Sequence, residues 1–470
     1  MPCRYLKINF MKFTKSKKHN VNYLAQIVEI NNFTAHPNAD KMKLAHVGGY
    51  CICVGIDEPE GKYIYFPTNC EINPNILRTL NLYRHTEKNS DAEKSGFFND
   101  NGRVTAIKLR GVASEGFLLP ISGFIDFIQK DLNINLFDFD FPVGTEFDTF
   151  EHEDKSFWVN KKYIIQRQNS SGHSHNKRNN VLKGFDRIDE DQFSFHYDTL
   201  QVKKQPWCVS PDDLISITSK WHGTSHISAY VLCNRKMSFF NKIANLLVGN
   251  SWEHQIKYYD YIYSSRSVIK NRFINKSVSS GYYGVDLWKH AHEILIPHLT
   301  KGMTIYAEIV GFTPDGKYIQ KQYDYGCLPP VGDEKYTYNK HFKIRVYRIT
   351  LTNVDGVKHE FSAREVQQWC HNNGLIPVEE FYYGFAKDLY PELNINDSEW
   401  NQKFWEKMAN DPNFYMEKDS PDCNNKVPHE GVVIKIEDMV PRAWKLKTFA
   451  FLNGEQKELD SGMTNMEDEN

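Results

Sequence analysis

Lys220-Trp221-His222-Gly223-Thr224-Ser225 follows the apolar run Leu214-Ile215-Ser216-Ile217. That run reads as a short buried strand. The string therefore sets a lysine at a strand end, three residues before a glycine. Partial desolvation or neighbouring cations free such an amine of its proton, and the neutral amine can attack phosphorus. The glycine lets the backbone turn tightly beside a bound nucleotide. A surface lysine followed by a turn glycine would satisfy the same six residues, so the reading depends on the rest of the chain.

Four later stretches bear on it. Tyr306-Ala307-Glu308-Ile309-Val310-Gly311-Phe312 carries a carboxylate inside an apolar run, where burial is costly unless the acid is paired or binds something. Phe342 to Thr350 alternates like a half-buried strand, so Lys343, Arg345 and the Tyr347 ring share a face. Glu430-Gly431-Val432-Val433-Ile434-Lys435-Ile436 is a second acid leading an apolar strand. In Trp444-Lys445-Leu446-Lys447-Thr448-Phe449 the two lysines alternate and point to one side. Each has a plain reading as a strand-edge acid, a core ring or a solvated face; their order and chemistry together point to a nucleotide site.

In that order the stretches resemble the covalent nucleotidyltransferases: DNA ligases, RNA ligases and messenger-RNA capping enzymes. The nucleophile motif falls on Lys220 and Gly223, the strand glutamate on Glu308, and the aromatic strand on Tyr347. The Glu-Gly strand falls on Glu430 and Gly431, and the paired lysines on Lys445 and Lys447. Ser264-Ser265-Arg266-Ser267 resembles the arginine motif that follows the nucleophile. Arg187, in Arg187-Ile188-Asp189-Glu190, is a looser match to an upstream basic motif, because the second basic residue is absent and Gln192 stands nearby.

The N-terminal part carries a separate resemblance. Ala25 to Ile30 reads as a strand, and short alternating runs follow at Tyr50–Val54 and Tyr63–Pro67. Short strands with turn signals between them suggest a small β-barrel. His36-Pro37-Asn38-Ala39-Asp40-Lys41 resembles OB-folds that bind transfer RNA. With Leu109-Arg110-Gly111-Val112 it is similar to the OB domain at the front of Deinococcus- and Naegleria-type RNA ligases. Only 23 residues follow Lys447, too few for an OB barrel behind the motifs, and His222 stands where DNA ligases and capping enzymes usually carry aspartate. Both points favour the RNA ligase branch.

The expected fold is α+β: an N-terminal OB-fold β-barrel, then a nucleotidyltransferase domain of antiparallel sheets with flanking helices. The expected divisions are an OB domain over 1–160, a linker and upstream motif over 161–200, and the transferase domain over 201–455. Residues 363–418, with helical spacing at Glu399–Met408, read as a helical insertion at its side, and 456–470 as a polar, acidic tail. Gln168 to Gly184, rich in Gly, Ser and Asn, reads as a mobile linker. His290, His292 and His298 read as structural.

The resemblance implies ATP and Mg2+ or Mn2+. Lys220, Glu308, Glu430, Lys445 and Lys447 would carry the chemistry. Gly223, Arg266, Tyr347 and Arg187 would help hold the nucleotide, with Tyr347 stacking on adenine. Glu430 would be the metal-linked carboxylate, and Glu308 would take the ribose hydroxyls or a metal. The implied partner is RNA or a nicked RNA/DNA duplex. Its 3′-OH strand would be RNA and its 5′-phosphate strand RNA or DNA. A DNA ligase or guanylyltransferase of the same superfamily is the alternative within the class. A non-catalytic RNA-binding protein is the alternative outside it.

Composition bounds the rest. The 470 residues are 40% hydrophobic and 25% charged, with net charge −2, so a phosphate-binding surface must be a local patch. No run of about 20 apolar residues reads as a membrane span. The N-terminus is too interrupted for a signal peptide, so a cytoplasmic protein is expected. Nine scattered cysteines read as reduced thiols rather than a disulfide frame or a zinc site.

Overall fold

The computed structural model describes residues 11–17, 19–134, 139–153, 155–164, 188–236, 255–270 and 285–460. Arg187, the 168–184 linker and the last ten residues lie outside them. No helix among the described residues is long and apolar enough to cross a membrane.

Two sheets build the C-terminal part. In chain order their main strands are β1 (Leu214–Ser219), β2 (Thr224–Lys236), β3 (Gln255–Ser264) and β4 (Met303–Gly311). These are followed by β5 (Phe342–Thr352), β6 (Glu380–Phe385), β7 (Gly431–Ile436) and β8 (Arg442–Lys447). One sheet has six strands, with β3-β2-β4-β5 at its centre and all pairs antiparallel. The other has five, in the order 200–201, β8, β7, β1, β6, and only its 200–201 edge strand runs parallel to its neighbour. The link Lys220–Gly223 passes from β1 in one sheet to β2 in the other, so the lysine string joins the two layers.

Each sheet buries its far face under helices. Helix α1 (Leu287–Leu295) sets Trp288 and Leu295 against Ile305, Ala307 and Ile309 of β4, and α2 (Ala363–Asn372) adds Val366 and Cys370 to the same cluster. Ser362 caps α2 with a capping box closed by Glu365, which satisfies two otherwise orphaned amide groups. Helix α3 (Trp400–Met408) packs Trp400, Phe404 and Trp405 on Ile215, Ile217, Val432 and Ile434 of the five-stranded sheet. His290 and His292 lie in α1, and His298 lies in the 3-10 turn after it.

Two expectations need correction. The 363–418 segment is not a helical attachment: it supplies β6 as an edge strand beside β1, and its aromatic residues form much of the core under that sheet. The run Glu380-Phe381-Tyr382-Tyr383-Gly384-Phe385 hides its strand because five of its six residues pack partway into neighbours and no polar face alternates. The tail does not begin at 456: residues 456–460 are the last turn of helix α4 (Phe449–Asp460), and Glu455 and Gln456 are buried in it. Arg103, its side chain fully buried, holds that turn through Asp460 at 2.6 Å and the Gln456 carbonyl at 3.3 Å.

Before residue 165 the chain forms small antiparallel sheets, with strands at Ala25–Ile30, Met42–Val47, Tyr50–Gly55 and Gly61–Phe66 among them. Its two apolar clusters draw only on residues of this part. The two phrases singled out in the sequence meet here. The Asn38 amide donates to His36 Nδ1 at 3.1 Å, which leaves Nε2–H to donate to the Leu109 carbonyl at 3.1 Å. The Asn38 side chain donates to the Arg110 carbonyl at 2.9 Å. Arg110 and Gly111 have φ of 47° and 90°, the left-handed turn that Asn38 braces. The two parts of the chain touch through Gly49 N–H to the Lys203 carbonyl at 2.7 Å and through the ion pairs Lys203–Glu115 and Lys204–Glu146.

Candidate active site

A pocket opens between the two sheets. The five-stranded sheet supplies Ser216, Thr218, Ser219, Lys220, Val433, Lys435 and Lys445, and the six-stranded sheet supplies Thr224, Ser225, Glu308, Tyr347 and Arg348. Arg266 closes one side. Five residues singled out by sequence therefore converge: Lys220, Glu308, Tyr347, Arg266 and Lys445.

Lys220 caps the end of β1. Its amide donates to the Gly431 carbonyl at 2.9 Å, and its amine lies 2.7 Å from Glu430 Oε1. Glu430, 2% exposed, stands one residue before β7. The same oxygen lies 3.3 Å from Lys447 Nζ, which in turn reaches Glu455 Oε1 of α4 at 3.1 Å. Both lysines of β8 border the cleft beside the pocket, but only Lys445 also lines the pocket itself; Lys447 is held between two carboxylates.

Gly223 has a different reason from the one its motif suggests. Its φ is not in the left-handed region; instead a Cβ there would lie 2.3 Å from the Ile309 carbonyl oxygen and 2.9 Å from Glu308 Cγ. The bare backbone lets the Gly223 amide donate to Glu308 Oε1 at 3.0 Å, which pairs the otherwise costly strand acid. Gly223→Ala should destabilise the protein by about 1–3 kcal/mol through overpacking. It should also slow any reaction at Lys220; a denaturation midpoint and activity both at the wild-type level would show that the close approach is dispensable.

Tyr347 sits at a bulge. Tyr306 pairs with Arg348 and Ala307 with Val346, so Tyr347 has no direct partner on β4. Bulges re-aim side chains, and here Tyr347 and Arg348, neighbours in the chain, both line the pocket. Burial pushes the Tyr347 hydroxyl up, with the Glu308 charge adding to it. The rest of its alternation holds: Arg345 lies over the Trp221 ring at 4.4 Å, and Trp221 stacks on Tyr325 at 4.8 Å.

Several pocket residues carried no sequence signal. The Arg348 guanidinium lies 2.7 Å from Glu360 and over the Tyr306 ring at 4.4 Å. His196 meets the Tyr347 ring edge-on at 5.1 Å. Burial pushes His196 well below its usual range, and the charges of Arg348, Arg266, Lys220 and Lys445 push it further. Four cations, Arg348, Arg266, Lys220 and Lys445, thus border one space, where a polyphosphate would meet their field. His196, Arg348 and Glu360 come from distant segments and follow no spacing; only the break in alternation at Arg348 hints at them.

Arg266 pairs with Asp198 and borders a second cleft. That cleft lies between the two parts of the chain, with Asn20, Tyr50, Asn69 and Lys162 on one wall and Arg266, Lys445 and Lys447 on the other. The pocket shares Arg266 and Lys445 with this polar cleft, which lies against the N-terminal part.

No protein-family model matches the chain, and no curated protein does. Solved structures do. The chain shares the fold of an RNA ligase. A lysine-to-alanine mutant of Naegleria gruberi RNA ligase with ATP and Mn matches over 93% of this chain and 99% of its own, with a TM-score of 0.52 at 15% identity. An apo aspartate-to-alanine mutant gives 93%, 99%, 0.53 and 15%. A glutamate-to-alanine mutant with ATP and Mn gives 92%, 99%, 0.54 and 16%.

The residues fit a nucleotide and a cation. Among the described residues no three His, Cys, Asp or Glu side chains gather as a cation cage. A Mg2+ or Mn2+ would therefore rely on one or two carboxylates, with water and phosphate oxygens completing its shell. The pocket's own carboxylates are Glu308 and Glu360, and Glu430 lies beside the Lys220 amine.

Proposed function

We propose that the protein is an ATP-dependent RNA ligase that joins a 3′-OH and a 5′-phosphate at a nick in a duplex, with RNA on the 3′-OH side. The observation that carries this reading is the convergence of Lys220 with Arg266, Arg348 and Lys445 in one pocket floored by Tyr347. The likeness in fold to RNA ligase structures solved with ATP and Mn supports it.

ATP is the substrate of the first step, its adenine against Tyr347 and its phosphates among the cations. The Lys220 amine, freed of its proton and of Glu430, attacks the α-phosphorus; a phosphorus–nitrogen bond forms and pyrophosphate leaves. Arg266 and Lys445 stabilise the charge that grows on the phosphoryl oxygens. Lys447 keeps Glu430 in place. A divalent cation bound at Glu430, with Glu308 as a second carboxylate, would supply Lewis-acid charge for the phosphates. The AMP then passes to a 5′-phosphate, and the 3′-hydroxyl attacks and releases AMP.

The N-terminal part reads as an OB-fold that holds the duplex, over 1–160, with the transferase domain over 201–455. The cleft beside Arg266 supports this reading, because a phosphate end entering there would meet the pocket. Arg187, outside the described residues, remains a candidate for the nucleotide.

Labelled ATP tests the reading: transfer of AMP to the protein and sealing of a nicked duplex are expected, and uptake of GTP instead would favour a guanylyltransferase. The paired lysines give a sharper prediction. Lys445→Ala and Lys447→Ala should each slow adenylylation at least about tenfold, or about 1.4 kcal/mol. Only Lys447→Ala should also cost about 3 kcal/mol of stability, because it leaves buried carboxylates facing each other without their cation. Equal thermal stability of the two variants would contradict the separation of their roles.

A further inference from the structure

We propose that Ser219, His429 and Asp422 form a buried positioning cluster that fixes the Lys220 amine against Glu430. Ser219 precedes Lys220 in the chain, and His429 precedes Glu430. The inference rests on the proposed attack by Lys220.

The ion pair sits just where backbone pairing between β1 and β7 runs out. Ser219 pairs with Val432 as the last rung, and the Lys220 amide to the Gly431 carbonyl is the last hydrogen bond. Beyond it, a side-chain bridge continues the ladder: Ser219 Oγ lies 3.2 Å from His429 Nε2. Asp422 reaches the same hydroxyl from the loop before β7, with Oδ2 at 3.2 Å. That loop is braced by Asp422 N–H to Ser420 Oγ at 3.3 Å and by Ser420 N–H to the Val427 carbonyl at 2.8 Å. The His429 backbone is fixed on both sides, its amide to the Lys418 carbonyl at 2.9 Å and its carbonyl accepting from Thr448 Oγ1 at 2.6 Å.

Two of the three members are buried, with Asp422 half-buried beside them. Ser219 is 2% exposed and His429 1%, and buried polar groups are costly unless bonded. One hydroxyl carries one proton, so it cannot donate to both a carboxylate and an imidazole nitrogen. Bridging both requires a proton on one of them. Burial pushes the Asp422 carboxyl up to about 6, and the hydrogen bond from Ser219 opposes that shift by favouring the carboxylate. Ser219 donates its proton to Asp422 Oδ2, so the proton on the other side is the His429 ring's own: its Nε2–H donates to Ser219 Oγ. The bridge ties the two residues that precede the nucleophile and its carboxylate.

Ser219→Ala, Ser219→Thr and Asp422→Asn test this in the full-length protein, by single-turnover adenylylation across ATP concentrations and by thermal unfolding. Ser219→Ala and Asp422→Asn should each lower the rate at saturating ATP about tenfold or more, since small misplacements of a nucleophile are costly. In Asp422→Asn, which lies outside the pocket lining, the half-saturating ATP concentration should stay within about twofold of wild type, because a group that only positions the nucleophile does not change ground-state binding. Ser219→Thr, which keeps the hydroxyl, should recover most of the rate. Wild-type rates in both of the first two variants would overturn the proposal. So would a loss that Ser219→Thr shares in full and that tracks the unfolding temperature. The acylation rate of Lys220 by acetic anhydride, read by peptide mass spectrometry, gives a measure independent of ATP. It should rise in Ser219→Ala as the amine loosens from Glu430, and an unchanged rate would overturn the proposal. If the wild-type protein takes no AMP, the ligase reading fails, and this acylation measurement alone decides the cluster.

Discussion

Lys220→Ala is expected to abolish transfer of AMP from ATP to the protein, and Lys220→Arg should not restore it. Among the described residues no other amine shares the Lys220 position: the pocket's remaining cations are Arg266, Arg348, Lys435 and Lys445, from other segments. A guanidinium stays protonated near neutral pH and cannot attack. With the covalent step gone, sealing from ATP should fall below detection as well. Both variants keep the fold in this account, because Lys220 is partly exposed at a strand end and packs into no core cluster. Circular dichroism and labelling with radioactive ATP on the same preparation check the result. Residual label on Lys220→Ala would place the nucleophile elsewhere.

Glu430 gives the other large effect. Its carboxylate, 1% exposed, is the point where the nucleophile and Lys447 meet, at 2.7 and 3.3 Å. Glu430→Ala removes the buried anion and leaves two ammonium groups close together. The expected outcome is a stability loss of about 3 kcal/mol or more, since an uncompensated buried charge is costly. The adenylylation rate should fall at least about a hundredfold, from a misplaced amine and a lost cation site. Glu430→Gln separates these contributions. It retains shape and a hydrogen-bond acceptor for Lys220, so stability should partly return, while the rate should stay low because a neutral amide attracts no divalent cation. Recovery of the rate in Glu430→Gln would mean that Glu430 only positions the amine.

The pattern of these residues was largely legible in the sequence, for a physical reason. Lys220, Glu308, Tyr347, Glu430 and Lys445 lie on or beside strands whose apolar alternation marks the strand and leaves the polar residue conspicuous. Gly223 was legible too, though its role is to admit close packing rather than to turn. What surrounds them was not legible. Glu455 sits one residue before the stretch that reads as a polar tail, and nothing in the sequence marks the helix there that presses Glu455 onto Lys447. Arg348 reaches the pocket only because a bulge shifts the strand by one residue, and a bulge leaves no trace in an alternating pattern beyond one break. His196 and Glu360 come from segments far apart in the chain, where only the folded sheets bring them together. The β6 strand was masked by an aromatic run with no polar face, set between helices.

One experiment bears most directly on the account as a whole. The protein is incubated with labelled ATP and Mg2+ or Mn2+, freed of nucleotide, and then chased with a nicked duplex carrying an RNA 3′-OH and a 5′-phosphate. The account predicts that label is first carried on the peptide containing Lys220. It then leaves the protein as the nick is sealed in a single turnover without further ATP. Label on another residue, or a protein that stays labelled while the nick stays open, would contradict it.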